Sequence, residues 1–350
     1  MIMKRKGYAL PMTLAAIIVL SLIASIAANE VRRSNQAVAN LADRASVSAQ
    51  LASAEQTLIF SLLTETMGPF GLRSGISGVA QAFGATAQAD SAITELVLAN
   101  GSPYQVPGTE VFVRLYAPEA LFSFATTSDG ALKRILDSFD VPPINQDRLI
   151  AKLADFQDED DRVNLGGAER SSYPSQSPPP NRALRHESEL CAVLDWAQTP
   201  VCEDLGRLAL LSTVAQQDQL NVRLLSEQTL GFLLADPFLL EDTTRDVYNR
   251  IVSGEVRQFR EIGLEAFDER FDPLLGGSTP GPRLIIVAHD RNGRFVRRSD
   301  LELTLGSATS PFFVHSKYAI GGDYVERALR IETNENVIPL PPPSSINSAR

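Results

Sequence analysis

The sequence predicts an α+β protein: one long N-terminal helix, an antiparallel sheet, and a large all-α block inserted between strands. Three observations predict it. An uncharged run from Tyr8 to Asn29 continues without a break into amphipathic helical spacing. Short segments of alternating residues occur both near 93–116 and near 283–333. Between them helical spacing dominates, and strands on both sides of a helical block indicate an insertion.

The N-terminal element begins with a basic cluster, Lys4, Arg5 and Lys6, followed by Gly7. The run Tyr8–Asn29 has no charged residue. As a helix it spans about 33 Å, enough to cross the hydrocarbon core of a bilayer. The basic cluster stays on the cytoplasmic side by the positive-inside rule, which places the rest of the chain outside. A secretory signal cut near Ala24–Ala28, a plain signal anchor and a buried core helix are the competing readings. Against them stands the junction, where a short basic leader ends in glycine and the apolar helix starts at once. Beyond the apolar run, Val31, Val38, Leu41, Ala45, Leu51, Leu58 and Leu62 recur at three-, four- and seven-residue spacings until Gly68-Pro69. Such a helix suits packing against like helices.

The expected strands are Ile93–Leu98 and Glu110–Tyr116, with a turn at Asn100-Gly101-Ser102-Pro103. Expected helices are Ala131–Phe139, Gln146–Phe156, Glu187–Trp196, Leu205–Val214, Ser226–Leu234, Arg245–Ser253 and Arg257–Phe271. A proline-rich loop, Ser171–Pro180, lies among them. Strands resume at Arg283–His289, Leu301–Leu305, Phe312–Ala319 and Tyr324–Thr333. The organisation read from this is a leader (1–7), a transmembrane helix (8–29), its outer half (30–66) and a first α+β part (67–122). An inserted α-domain (123–240), a returning α+β part (241–335) and a disordered tail (336–350) follow.

Net charge is −10 and the pI near 5.0, so no nucleic acid partner is expected, because phosphate binding needs a basic face. His186, His289 and His315 lack metal-ligand spacing, and no HExxH, GxSxG or Walker-type motif occurs. No catalytic residue is assigned, and each histidine reads as a surface or satisfied side chain. Cys191 and Cys202 are the two cysteines; after export they suit a disulfide closing a short loop, worth about 3 kcal/mol. Two separate buried thiols are the alternative. Asp158, Glu159, Asp160 and Asp161, with Glu169 beyond two glycines, offer hard oxygen ligands on a flexible loop, a Ca²⁺ chemistry. The spacing of Asp158, Asp160 and Glu169 matches positions one, three and twelve of an EF-hand, but Arg162 and Val163 break that template. A solvated acidic loop is the alternative.

Several of these segments resemble one family. The leader ending in Gly7 is similar to that of type IV pilins and pseudopilins, which implies cleavage at Gly7|Tyr8 by a prepilin peptidase and methylation of the Tyr8 amine. Most members carry a glutamate at the fifth mature position; Met12 stands there, as is typical of the K-type minor pseudopilin of the type II secretion system. The segment DFQDEDDRVNLGGAERSSY (Asp155–Tyr173) resembles that type's Asp-rich motif, with Asp155, Asp158, Asp160, Asp161, Gly167, Ala168, Glu169 and Tyr173 in register. Pro178-Pro179-Pro180 and His186–Leu190 are similar to its next loop and helix start. Gln219–Val222 stands where the family has I-N-V-N-T-A, but Arg223, Leu224 and Leu225 depart from it, and Tyr116–Ala125 replaces another family stretch.

The resemblance implies a type IV pilin-like fold with a large inserted α-domain, and a Ca²⁺ site built by Asp158, Asp160, Asp161 and Glu169. It implies a non-catalytic subunit of the inner membrane, with its bulk in the periplasm, that caps the pseudopilus tip. The implied partners are the I- and J-type minor pseudopilins and the major pseudopilin. A minor pilin of a type IV pilus and a signal-anchored periplasmic hydrolase are the other readings.

Overall fold

The computed structural model describes residues 9–68, 70–74, 95–125, 128–174, 178–215, 220–234, 241–264, 280–332 and 337–341. Gly7 and Tyr8, the residues of the expected cleavage, lie outside this set, as does most of the expected tail. Contacts divide the chain into two compact units, residues 1–50 and 51–350.

Helix α1 (Ala9–Thr64) realises the long N-terminal element. It is the one helix among the described residues long and apolar enough to cross a membrane, with a mean hydropathy of 2.2 over its most apolar window. Within the first unit Val31, Val38 and Leu41 are exposed. In the second unit the same helix buries Leu51, Ala54, Leu58, Ile59 and Leu62, one stripe at helical spacing.

That stripe belongs with a six-stranded sheet. Strands β1 (Thr66–Gly68), β2 (Gly71–Ser74) and β3 (Glu95–Leu98) first form a small antiparallel sheet in the order β1-β2-β3. Then β4 (Asn100–Gln105) and β5 (Val111–Tyr116) enter the main sheet. The chain returns to it with β8 (Arg283–Asp290), β9 (Val296–Leu303) and β10 (Phe312–Ile320). The order is β10-β9-β8-β5-β4-β11, where β11 (Ile338–Pro339) pairs parallel to β4 and every other neighbour is antiparallel. Strand β5 pairs directly with β8, from Val111↔Asp290 to Tyr116↔Ile285. Everything between Tyr116 and Arg283 is therefore an insertion at the end of an antiparallel strand pair, as the sequence led one to expect.

The insertion holds α2 (Asp129–Ser138), α3 (Pro143–Gln157), α4 (Pro200–Glu203), α5 (Leu205–Leu211), α6 (Glu227–Leu233) and α7 (Glu241–Val252). Side chains start several of them: Ser128, Asp204 and Ser226 each accept a hydrogen bond from the backbone N–H three residues on. A minimal parallel pair, β6 (Phe122–Ser123) with β7 (Ser212–Thr213), ties the entry of the block to the end of α5. One core runs from Phe122 to Leu264, with Trp196 fully buried and its indole N–H donating to Leu149 O at 2.9 Å. Ile251 of α7 and Phe259 belong to this core, past residue 240 where the sequence placed the end of the α-domain.

The sheet is covered on both faces. Glu55 of α1 is buried and accepts from Ser299 Oγ (2.9 Å) and Lys317 Nζ (2.8 Å) on one face. On the other face Tyr116, Ile285, Val287, Val296 and Ile320 pack with Ala209 and Leu210 of α5 and with Val325 and Leu329 of α8 (Asp323–Leu329). Arg298 of β9 points to that second face, held bidentately by Asp300 at 2.8 and 3.0 Å, and donates to Ser212 O at 2.8 Å and to Ala209 O.

Several local expectations need correction. Asn100–Pro103 is strand, not turn; the reversal falls at 106–110, with Gly108 at φ +74°. Tyr324–Thr333 begins as helix α8, because Val325 and Leu329 are buried four residues apart. Glu187–Trp196 is a 3₁₀ turn over Glu187–Ala192 and then irregular chain, not an α-helix. Of Arg257–Phe271, the described part holds a 3₁₀ turn at Phe259–Ile262.

Candidate functional site

The acidic segment folds around the C-terminal end of α3. Asp155 lies in the last turn of that helix and Asp158 caps it, its N–H donating to Ala154 O at 3.0 Å. Carboxylates there face the negative end of the helix dipole, an unfavourable position unless a cation is near. Asp155 is fully buried. Its oxygens accept from the Asn164 N–H at 3.3 and 3.2 Å and from Asn164 Nδ2, which folds the 158–164 loop back over the helix end. Gly167 permits this closure: a Cβ there would stand 2.0 Å from Asp155 Oδ2.

Glu169 is brought beside the two aspartates. One carboxylate oxygen from each of Asp155, Asp158 and Glu169 lies within 4.8 Å of the others. Both oxygens of Glu169 and Oδ1 of Asp158 are buried and have no hydrogen-bond partner among the described residues. Burial pushes the Glu169 carboxyl above the usual range, and the nearby charges of Asp158 and Asp155 add to it. Asp158 is raised by burial and then by Asp160 and Asp155. Uncompensated buried carboxylates are costly, so the arrangement fits a cation with oxygen preference.

The structure divides the expected ligands. Asp158 and Glu169 converge. Asp160 and Asp161 do not: Asp160 Oδ1 accepts from the exposed Arg162 N–H at 2.8 Å, and Asp161 Oδ1 faces Asn181 Nδ2 at 3.4 Å. The loop carries both outward to solvent. Asp155 completes the cluster in their place. Its signal in the sequence was the three-residue step to Asp158, which puts both on one side of a helix end. The EF-hand spacing fails in three dimensions because a 3₁₀ turn (Arg170–Ser172), not a second helix, follows Glu169.

Cys191 and Cys202 are joined by a disulfide with Cα atoms 5.7 Å apart. It brackets Trp196. Tyr173, the last residue of the acidic motif, takes the Leu194 N–H on its hydroxyl at 3.0 Å and so ties the motif to this loop. His289 is buried in the sheet and accepts from Arg114 Nε at 3.1 Å; His186 is held by Ser188; His315 pairs with Glu302 at 2.8 Å. No two of the three histidines come together.

Residues 119–203, which contain this whole carboxylate cluster and both cysteines, match the family model of type II secretion system (T2SS) protein K. That segment of the helical block is similar to protein K. The K-type resemblance of the sequence thus rests on the segment that carries the site. A chain in the crystal structure of the GspK–GspI–GspJ complex from the enterotoxigenic Escherichia coli type 2 secretion system is similar over 70% of this chain and 91% of its own, at 16% identity and a TM-score of 0.42. No curated protein matches the sequence.

Proposed function

We propose that this protein K relative is a non-catalytic minor pseudopilin that ends the pseudopilus. The observation that carries the reading is the placement of the insertion. A block with its own core, of which residues 119–203 match protein K, grows from the end of the central β5–β8 strand pair of a sheet held to α1 through Glu55. In this reading α1 holds the precursor in the inner membrane, and the prepilin peptidase cuts between Gly7 and Tyr8. The periplasmic bulk then blocks addition of a further subunit above it. Its neighbours are the I- and J-type minor pseudopilins, the partners named for the GspK of the similar solved complex, with the major pseudopilin below, and the assembly supports export of folded proteins across the outer membrane.

A tag at the C-terminus, visualised on pseudopili from cells that overproduce the major subunit, tests the role. Label at filament ends alone supports it. Label along the shaft, or recovery of a chain starting near Ala28 and free of α1, overturns it.

The same reading includes a structural Ca²⁺ held by Asp155, Asp158 and Glu169. Calcium takes six to eight oxygens, so backbone carbonyls and water would complete the shell. The ion would supply the countercharge these groups lack and fasten the end of α3 to the turn at Glu169. Calorimetry on the chain stripped with a chelator measures it directly, and no heat of calcium uptake would sink this part.

A further inference from the structure

We propose that a cleft between β4, the helical block and the end of α8 binds an acidic, extended peptide segment. The cleft has a volume of about 1040 Å³. Three walls form it. Asn100–Pro103 of β4 make the first, Ser226–Gln228 with Arg245, Tyr248 and Asn249 the second, and Arg327–Glu332 the third. The inference goes beyond the pseudopilus reading and does not depend on the carboxylate cluster.

Charge singles the cleft out. It gathers four arginines (Arg114, Arg245, Arg327 and Arg330) against two glutamates (Glu227 and Glu332) in a chain of net charge −10. Arg245 is spoken for by Glu227 at 3.0 Å. Arg327 and Arg330 are exposed, and neither forms an ion pair among the described residues. Arg327 on helix α8 and Arg330 just past its end share one wall. Guanidinium forks match carboxylates, the mode by which arginine clusters read acidic motifs.

The remaining lining favours a peptide. Asn249 and the side-chain oxygen of Gln228 offer amide groups of the kind that bond to main-chain N–H and C=O, while Asn100 and Ser102, bonded to each other and to Tyr248, shape the wall. Tyr248 is the one aromatic side chain in the lining, whereas sugars are commonly held by stacking on aromatic rings. A single small anion would leave most of the volume empty. The walls are also fastened to one another. Asn100 Nδ2 donates to Tyr248 Oη at 2.9 Å, and Gln228 Nε2 donates to Ala328 O at 2.9 Å. The cleft is thus formed before any ligand arrives, which lowers the cost of binding. Main-chain addition to β4 is excluded here, since Pro103 has no N–H and the Ser102 N–H is taken by Asn100 Oδ1 at 3.1 Å.

The test uses the full chain in a neutral detergent and fluorescein-labelled hexaglutamate, read by anisotropy. Expected is saturable binding that weakens with salt, about tenfold weaker in Arg327→Glu/Arg330→Glu and measurably weaker in Arg330→Glu alone, with melting temperatures unchanged. Equal affinity of wild type and both variants, no binding up to millimolar protein, or equal binding of hexaglutamine overturns the proposal. Tighter binding of an oligogalacturonate than of hexaglutamate overturns it in favour of an anionic glycan.

Discussion

Arg298 of β9 and Glu187 of the helical block meet at 2.6 Å with both side chains fully buried. Glu187 also accepts the Tyr318 hydroxyl at 2.9 Å, so a strand pair and the block close on a single carboxylate. Burial by itself would lower the Arg298 pKa, but Asp300 and Glu187 outweigh it and hold it above the ordinary arginine value. The joint between sheet and insertion is therefore ionic and dry. Arg298→Met leaves two carboxylates buried without their partner and should cost about 3–5 kcal/mol of stability. Glu187→Gln should cost less, because Asp300 still pairs Arg298. Chemical denaturation of both variants checks the order, and the reverse order would show that the pair does not fasten the block.

The carboxylate cluster makes a residue-level prediction that departs from the spacing in the sequence. Asp155→Asn or Glu169→Gln should weaken calcium binding by about tenfold or more, since each removes charge from the converging set. Asp160→Asn and Asp161→Asn, whose side chains face solvent, should leave affinity nearly unchanged. Calcium at about one hundred times its Kd should stabilise the wild type by about 2.7 kcal/mol. Thermal melts with and without chelator read this out. Equal loss in all four variants would favour a loose acidic loop over a built site.

Gly167 tests the geometry without removing a ligand. A Cβ there stands 2.0 Å from Asp155 Oδ2, so Gly167→Ala must push the loop off the end of α3. Calcium binding should weaken by about tenfold or more even though every carboxylate remains. Gly254→Ala serves as control, because space is open there, although its φ of +81° adds some backbone strain. Calorimetry on both variants makes the comparison.

Much of this architecture was legible because its signals are long. The run from Tyr8 through Leu62 has one periodic answer, and α1 follows it. The insertion was legible because β5 and β8 are alternating or apolar and flank helical spacing. Short segments misled where two periods fit. In Tyr324–Ile331 the residues Val325 and Leu329 satisfy a helix, while Val325, Arg327 and Leu329 also read as one face of a strand; eight residues cannot separate the two. Asn100–Pro103 carries turn residues, yet Gly101 is there for another reason: a Cβ would stand 2.1 Å from the Tyr116 ring, at a φ of +81°. Pro103 is tolerated because β4 lies near the sheet's edge. The place of Asp155 in the cluster was not legible, because the acidic run marks the loop while the helix end that buries Asp155 forms only in the fold.

His289 gives the pH dependence its sign. It is fully buried between strands and stacks on Phe112 with ring centroids 5.7 Å apart. Arg114 must donate, so Nε2 accepts, and the proton sits on Nδ1, donating to Asp290 O at 2.9 Å. Burial, and then the Arg114 charge, lower its pKa to about 3. Below pH 6.5 the unfolded chain takes up a proton that the folded chain refuses until about pH 3. The contribution of this histidine is therefore full above pH 6.5 and is lost as pH falls toward 3, at about 1.4 kcal/mol per unit. His289→Gln keeps an acceptor for Arg114 and cannot titrate. Its unfolding free energy, measured by urea titration from pH 7 to pH 4.5, should fall by about 2–3 kcal/mol less than that of the wild type. Parallel curves for the two proteins would mean that His289 is not held neutral by the sheet.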